Sequence, residues 1–309
     1  MPSSTGTHAC AAYVEMRREG TGKNACATPR MNSGEGTVPR TPCITLITDF
    51  GTTDHYAGTM KGVILNINPD VQIVDICHQV SAYDIFEAAY ALVQSYRFFP
   101  LDTIHLVVVD PGVGTARRPI LASAGQYKFV SPDNGVLSLL FGRERDAKVR
   151  HITADHYFLN PVSNTFQGRD IFAPVAAWLS KGVQEEKFGD LITDYAKFTS
   201  PKPKRVGENL IKGMVLKVDT FGNLITNIAP EDVPELFAEN SPPFRIIVND
   251  REITRLNLAY SMGGASELFA IVGSSGYIEI CTNRGSAAKL LKANRAAEVG
   301  VVIGGGKAD

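Results

Sequence analysis

Between residues 43 and 110 three apolar runs alternate with two amphipathic ones, and this alternation restricts the fold more than any other feature. CITLITDFG reads as a strand ending at Asp49, YAGTMKGVILNINP as a helix closed by Asn68 and Pro69, and VQIVDI as a second strand. YDIFEAAYALVQSYRFFP supplies a second helix and TIHLVVVD a third strand. Strands and helices of these lengths in strict succession predict an α/β domain: a mainly parallel sheet with helices on both faces. Leu106 to Val109 form an unbroken apolar run, as expected of a strand covered on both sides. PILASAG and YKFVSPD read as a hairpin or a further pair of strands, DNGVLSLLF as a helix capped by Asp133, and RDIFAPVAAWLSKG as a last helix.

The pattern changes after SPKPKRVGE, residues 200–208, whose Pro and Lys content suits a linker. Beyond it IKGMVLKVD, NLITNIA, FRIIVND, LFAIVG, YIEICT and VGVVIG are short β-rich runs between Gly, Asn and Ser turns. They predict a small C-terminal antiparallel β-barrel or sandwich. The expected organisation is a disordered extension over 1–40, an α/β domain over 41–199, a linker over 200–208, a β-barrel domain over 209–304 and a tail over 305–309. Glu15, Glu19 and Glu35 in the extension argue against a transit peptide.

Charge removes several function classes. With 31 basic and 32 acidic residues the formal charge is -1, so no electrostatic footprint for nucleic acid or an anionic membrane is present. No apolar run reaches the roughly 20 residues of a membrane span. The five cysteines, at 10, 26, 43, 77 and 281, show no Cys-x-x-Cys spacing, so neither a disulfide framework nor a metal site is expected, and a reducing cytoplasm fits best.

Ligands of open α/β sheets bind beyond the carboxyl ends of the strands, where this chain gathers carboxylates: Asp49, Asp75 beside Cys77 and His78, and Asp110. Asp49 also suits a turn cap, and His78 suits a packed or hydrogen-bonded place, or the ordering of the loop around the site, better than it suits a ligand. The turn VDPGVGTARR invites a phosphate-cradle reading, which its details refute. A dinucleotide fingerprint needs a third glycine where Arg117 stands, and a P-loop needs Gly-Lys-Ser/Thr. Asp110 would repel phosphate at the mouth of the turn. The loop is built for something neutral or cationic.

TDFGTTD, VDICHQVSAYD, VDPGVGTARR, SPDNGVL, NTFQGRDIFAP, VDTFGNLITNI and SSGYIEICTNRG occur in this order, and together they resemble the S-adenosyl-L-methionine hydrolases, or hydroxide adenosyltransferases, which are related to fluorinating and chlorinating enzymes. The resemblance spans residues 43 to about 303. It implies an N-terminal α/β domain, a C-terminal β-barrel, and a homotrimer binding S-adenosylmethionine between one subunit's first domain and its neighbour's second. It further implies that S-adenosylmethionine is the substrate, that water attacks C5′ of the ribose and L-methionine leaves, giving adenosine, and that the sulfonium leaves without help from a metal or cofactor. A carboxylate beside that positive sulfur is electrostatically favourable.

Residue by residue, the resemblance places Asp49 on the ribose hydroxyls, Asp54 beside the same pocket, and Tyr83 against the ribose or adenine, where the halogenating relatives carry Trp. An ordinary core tyrosine is the other reading of Tyr83. In the second domain it assigns Asp219 to the methionine ammonium, Phe221 to an adenine face and Asn223 to an adenine edge, although the same residue types make hairpin turns. Ser274, Ser275 and Asn283 match further ligand-contacting segments, with Ser275 standing where the halogenating relatives have Arg.

Asp110 and Arg117 match two members of the hydrolases' Asp, Arg and His around the attacking water, where the halogenating relatives read TYPATGT. A structural salt bridge is the alternative for that pair. The third member departs: the histidine's position is Gln167, which exchanges hydrogen bonds but takes no proton. Two readings follow, a hydrolase impaired at that position and a non-catalytic S-adenosylmethionine-binding protein. A halogenating enzyme is disfavoured because Asp110 would repel a halide. A methyltransferase is set aside because the first strand runs into TDFGTTD rather than a glycine-rich loop.

Overall fold

The protein, a computed structural model, is described over residues 40–304, so the expected tail, and all of the expected extension but Arg40, lie outside the described residues. The chain forms two compact units that divide at Pro201.

The first unit runs β1 (Cys43–Thr48), α1 (Tyr56–Ile67), β2 (Gln72–Cys77), α2 (Ile85–Ser95), β3 (Ile104–Val108), β4 (Pro119–Ala124), β5 (Tyr127–Pro132), α3 (Ser138–Arg143), β6 (Lys148–His151), α4 (Ala173–Ser180) and β7 (Leu191–Ile192). Its seven-stranded sheet has the order β2-β1-β3-β5-β4-β6-β7. The sheet is mixed: β2, β1, β3 and β5 run parallel, whereas β4, β6 and β7 pair antiparallel. The reversal begins at the tight turn after Ala124, where Gly125 takes φ 58° and the strands on either side pair Ala124 with Tyr127.

Side-chain alternation along the central strands builds two cores. Ile44 and Leu46 of β1 with Leu106 and Val108 of β3 pack among Met60 and Ile64 of α1 and Phe172, Val175 and Leu179 of the chain entering and forming α4. Ile47 with Val107 and Val109 face the opposite way, onto Ala88 and Leu92 of α2 and Leu140 of α3. Helices therefore cover both faces, and the carboxyl ends of β1 and β3 emerge side by side. Asp84 caps α2 by accepting from the Glu87 N–H at 2.9 Å. Asp133 does not cap α3 as expected; its carboxylate takes Arg118 and, at 2.7 Å, the Ala196 N–H.

The second unit contains β8 (Lys204–Val206), β9 (Leu210–Val218), β10 (Leu224–Thr226), β11 (Phe244–Val248), β12 (Arg251–Ile253), β13 (Leu256–Asn257), β14 (Leu268–Val272), β15 (Ile278–Thr282), α5 (Ala287–Leu291) and β16 (Glu298–Ile303). Its strands follow the path β12-β11-β16-β9-β10-β15-β14-β13, with β8 added on β9. Ile211, Val215, Leu224, Ile246, Ile280 and Val301 form its core. The path is open at β12 and β13, and β13 pairs parallel with β14, so the sheet curls as a half-barrel rather than closing as an antiparallel barrel. Residues 204–206, inside the expected linker, are a paired strand.

Among the described residues no helix is long and apolar enough to cross a membrane, and no group of three His, Cys, Asp or Glu side chains is placed to hold a metal ion. Cys43, Cys77 and Cys281 are free thiols.

Candidate active site

A cleft of about 320 Å3 opens at the carboxyl ends of β1 and β3. Four sequence-predicted residues of the first unit, Asp49, Asp54, Tyr83 and Asp110, line it, and a fifth, Gln167, joins them from a loop more than fifty residues beyond Asp110, whereas Arg117 does not line the cleft itself.

Asp110 follows the end of β3, and the Asn134 amide holds that end by donating to the Val109 carbonyl at 2.8 Å. The glycine turn then brings Arg117 back onto Asp110. Its Nε lies 3.0 and 2.9 Å from the two carboxylate oxygens, and its Nη2 donates to Asp110 Oδ2. The same Nη2 also donates to Gln167 Oε1. Both charged side chains are almost enclosed, 9% exposed for Arg117 and 6% for Asp110. The Phe172 ring lies under the guanidinium at 5.1 Å. A buried, doubly hydrogen-bonded carboxylate and guanidinium fix one another's orientation.

The second glycine of the VDPGVGT turn explains how these groups meet. Gly114 has φ 78°, and a Cβ there would clash with the Asn164 carbonyl oxygen, so only glycine lets this turn lie against the loop that carries Gln167. Asp170, 1% exposed, anchors that loop by accepting from the Ser163 N–H at 2.8 Å. A π-helical turn over Gly168–Phe172 then joins it to α4. Arg118, the second of the paired arginines, plays a different part: it binds Asp133 at 2.7 Å and Asp194 at 2.9 Å.

On the opposite wall Asp49 Oδ2 accepts from the Tyr83 N–H at 2.9 Å, leaving Oδ1 and further lone pairs for a ligand. Tyr83 is no core residue: it is 71% exposed and holds φ at 66°, an uncommon conformation for a bulky side chain. Sequence reasoning missed the aromatic wall. Phe166 sits edge-on to Tyr56 at 5.1 Å and to Phe50 at 6.0 Å. The signal was present, since Phe50 and Phe166 each stand inside a quoted motif, TDFG and NTFQG.

In the second unit Asp219 Oδ1 accepts the N–H groups of Phe221 and Asn223 at 2.9 and 2.8 Å, and Oδ2 accepts the Asn223 amide at 2.8 Å. Asn223 is buried, Phe221 is 77% exposed, and the Asn283 amide donates to the Gly263 carbonyl at 2.9 Å. Ser274 and Ser275 occupy the turn between β14 and β15. Beneath that turn lies Glu279, which sequence reasoning missed; Tyr260 donates to it at 3.0 Å and Ser275 approaches at 3.4 Å. Burial, with the nearby charge of Asp219, raises the Glu279 carboxyl above its ordinary range.

Fold and site together define an α/β unit with a carboxylate-lined cleft, followed by a curled β unit. The model of the SAM hydroxide adenosyltransferase N-terminal domain matches residues 44–189 and that of the C-terminal domain residues 213–300. The chain belongs to this family. It is 30% identical over 273 residues to the (R)-S-adenosyl-L-methionine hydrolase of Methanocaldococcus jannaschii, covering 84% of this chain and 95% of that one. To the (R)-S-adenosyl-L-methionine hydrolase of Salinispora tropica it is 34% identical over 261 residues, 81% and 94% of the two chains. The solved structure of an uncharacterized conserved protein from Thermotoga maritima superposes with a TM-score of 0.78 at 36% identity, over 84% of this chain and 99% of that one.

Proposed function

We propose that this protein hydrolyses S-adenosyl-L-methionine by attack of water at the ribose C5′, giving adenosine and L-methionine. The contact of Arg117 with both Asp110 and Gln167 carries this reading, because it joins three polar groups from two distant loops, two of which, Asp110 and Gln167, line one cleft. Asp110 accepts one hydrogen of the water and receives its proton as the carbon–oxygen bond forms. The carbon–sulfur bond breaks with its electron pair going to sulfur, so the sulfonium becomes the neutral thioether of methionine. Arg117 holds the carboxylate in one orientation. Gln167, already engaged through Oε1, has its amide N–H groups left to direct the water. Positioning of this kind supplies a large part of such a displacement.

Asp49 takes the ribose hydroxyls, and Asp54, Tyr83 and the aromatic wall take the nucleoside. Asp219, Phe221, Asn223, Ser274, Ser275 and Asn283 take the methionine and adenine ends in a homotrimer, each site completed by a neighbour's second unit. The exposure of two large aromatic side chains, Tyr83 at 71% and Phe221 at 77%, supports a site covered on assembly.

Incubation of the purified protein with S-adenosylmethionine should give adenosine and methionine in equal amounts by chromatography. Gln167→His run alongside should turn over faster, by about 10² to 10⁴ if position 167 serves as a general base in the relatives. Absence of adenosine with binding intact would instead favour the second reading, a protein that binds S-adenosylmethionine without cleaving it. Gln167, which takes no proton, is the observation on that side.

A further inference from the structure

His78 anchors a set of contacts that the reaction does not use. It is 6% exposed and does not line the cleft. Its Nδ1 lies 2.8 Å from Thr48 Oγ1 at the end of β1. Its Nε2 lies 3.0 Å from Asp75 Oδ1, within ion-pair distance although the N–H is not aimed along that line. The other oxygen of Asp75 accepts from Lys61 Nζ at 2.6 Å. Burial alone would raise the Asp75 carboxyl, but the Lys61 and His78 contacts hold it below its ordinary value. The His78 carbonyl accepts from the Gly51 N–H at 2.7 Å.

Thr48 and Gly51 bracket Asp49 and Phe50, two residues of one cleft wall. Thr48 Oγ1 also accepts from the Phe50 N–H at 3.3 Å. A proton on Nε2, the nitrogen nearer the Asp75 carboxylate, leaves Nδ1 to accept the Thr48 hydroxyl proton, which in turn frees the Thr48 oxygen for Phe50. Five residues beyond His78, Tyr83 closes the circuit through its N–H to Asp49. His78 thus holds the Asp49–Phe50 wall at both of its ends, by its imidazole to Thr48 and its carbonyl to Gly51, while Tyr83 of the other wall meets Asp49 directly.

We infer that His78 is a positioning residue: it sets the spacing of the two nucleoside-facing walls without touching the ligand. The inference rests on the nucleoside-binding reading above. Asp110, Arg117 and Gln167 reach the cleft from other segments, so the inference separates binding from turnover. In His78→Phe, and in Thr48→Val, the KM for S-adenosylmethionine and the calorimetric Kd for adenosine rise about tenfold while kcat stays within about threefold, the effect of one lost hydrogen bond. His78→Asn, whose amide oxygen stands near the place of Nδ1, returns the affinity to within about threefold of the original; His78→Gln, which mimics Nε2, does not.

Amide hydrogen exchange without ligand is the companion measurement. Exchange at residues 49–51 and 81–84 rises in His78→Phe and returns in His78→Asn while the melting temperatures of the two variants match. An unchanged KM, an exchange pattern like the parent's, or an Asn variant no better than Phe overturns the inference. A parent protein that neither binds adenosine nor cleaves S-adenosylmethionine, yet shows this exchange pattern in its variants, refutes the hydrolase reading and keeps the positioning role.

Discussion

At the scale of single residues, the chemistry turns on a carboxylate and a guanidinium that are both nearly enclosed. Asp110→Asn keeps the shape but removes the charge and the proton acceptor, and kcat should fall by about 10² to 10⁴. The same variant leaves the Arg117 charge uncompensated, so urea unfolding should show a loss of about 3 kcal/mol. Asp110 and Arg117 were legible in the sequence because they flank one short turn. Gln167 was legible as a departure from a motif, although nothing local indicates that its Oε1 meets Arg117. Glu279 was not legible, since its partner Tyr260 comes from a separate segment and only burial distinguishes it from an exposed strand glutamate.

At the scale of elements, the turn 110–117 and the loop 163–167 form one working piece. Gly114→Ala forces a side chain into a positive-φ position against the Asn164 carbonyl. It should cost about 1–3 kcal/mol of stability and separate Arg117 from Gln167. The check is activity beside a thermal melt: turnover should fall far more than the melt predicts, and an active Ala variant would deny the turn this role. The parallel half of the sheet was readable because β1 and β2 are each followed by a periodic helix and β3 carries an unbroken apolar run. The antiparallel half was less so. β7 has two residues and β8 three, and such strands exist through pairing with distant partners rather than through any pattern of their own. Asp133 carries a cap signature, yet Arg118 and the Ala196 N–H claim its carboxylate, a tertiary contact overriding a local preference.

At the scale of the whole molecule, the buried His105 makes stability depend on pH. It is fully enclosed, with Nδ1 2.7 Å from Thr45 Oγ1 and its ring stacked 5.1 Å from Phe129. Burial pushes its pKa from 6.5 down to about 3. Below 6.5 the unfolded chain binds a proton that the folded chain refuses, so stability falls as pH drops from 6.5 toward 3. The slope is at most about 1.4 kcal/mol per pH unit. Urea melts of the parent between pH 6.5 and 5, above the titration of most carboxylates, should show this decline. A Thr45→Val, His105→Phe double variant should flatten it, and an equally steep slope in that variant would assign the acid sensitivity elsewhere.

The most direct test of water attack at C5′ is the reaction run in oxygen-18 water with mass spectrometry of the nucleoside product. Incorporation of the heavy oxygen at the 5′ position of adenosine, lost in Asp110→Asn, is the result predicted here. A nucleoside product without the label, or a labelled product whose rate is indifferent to Asp110, would contradict it.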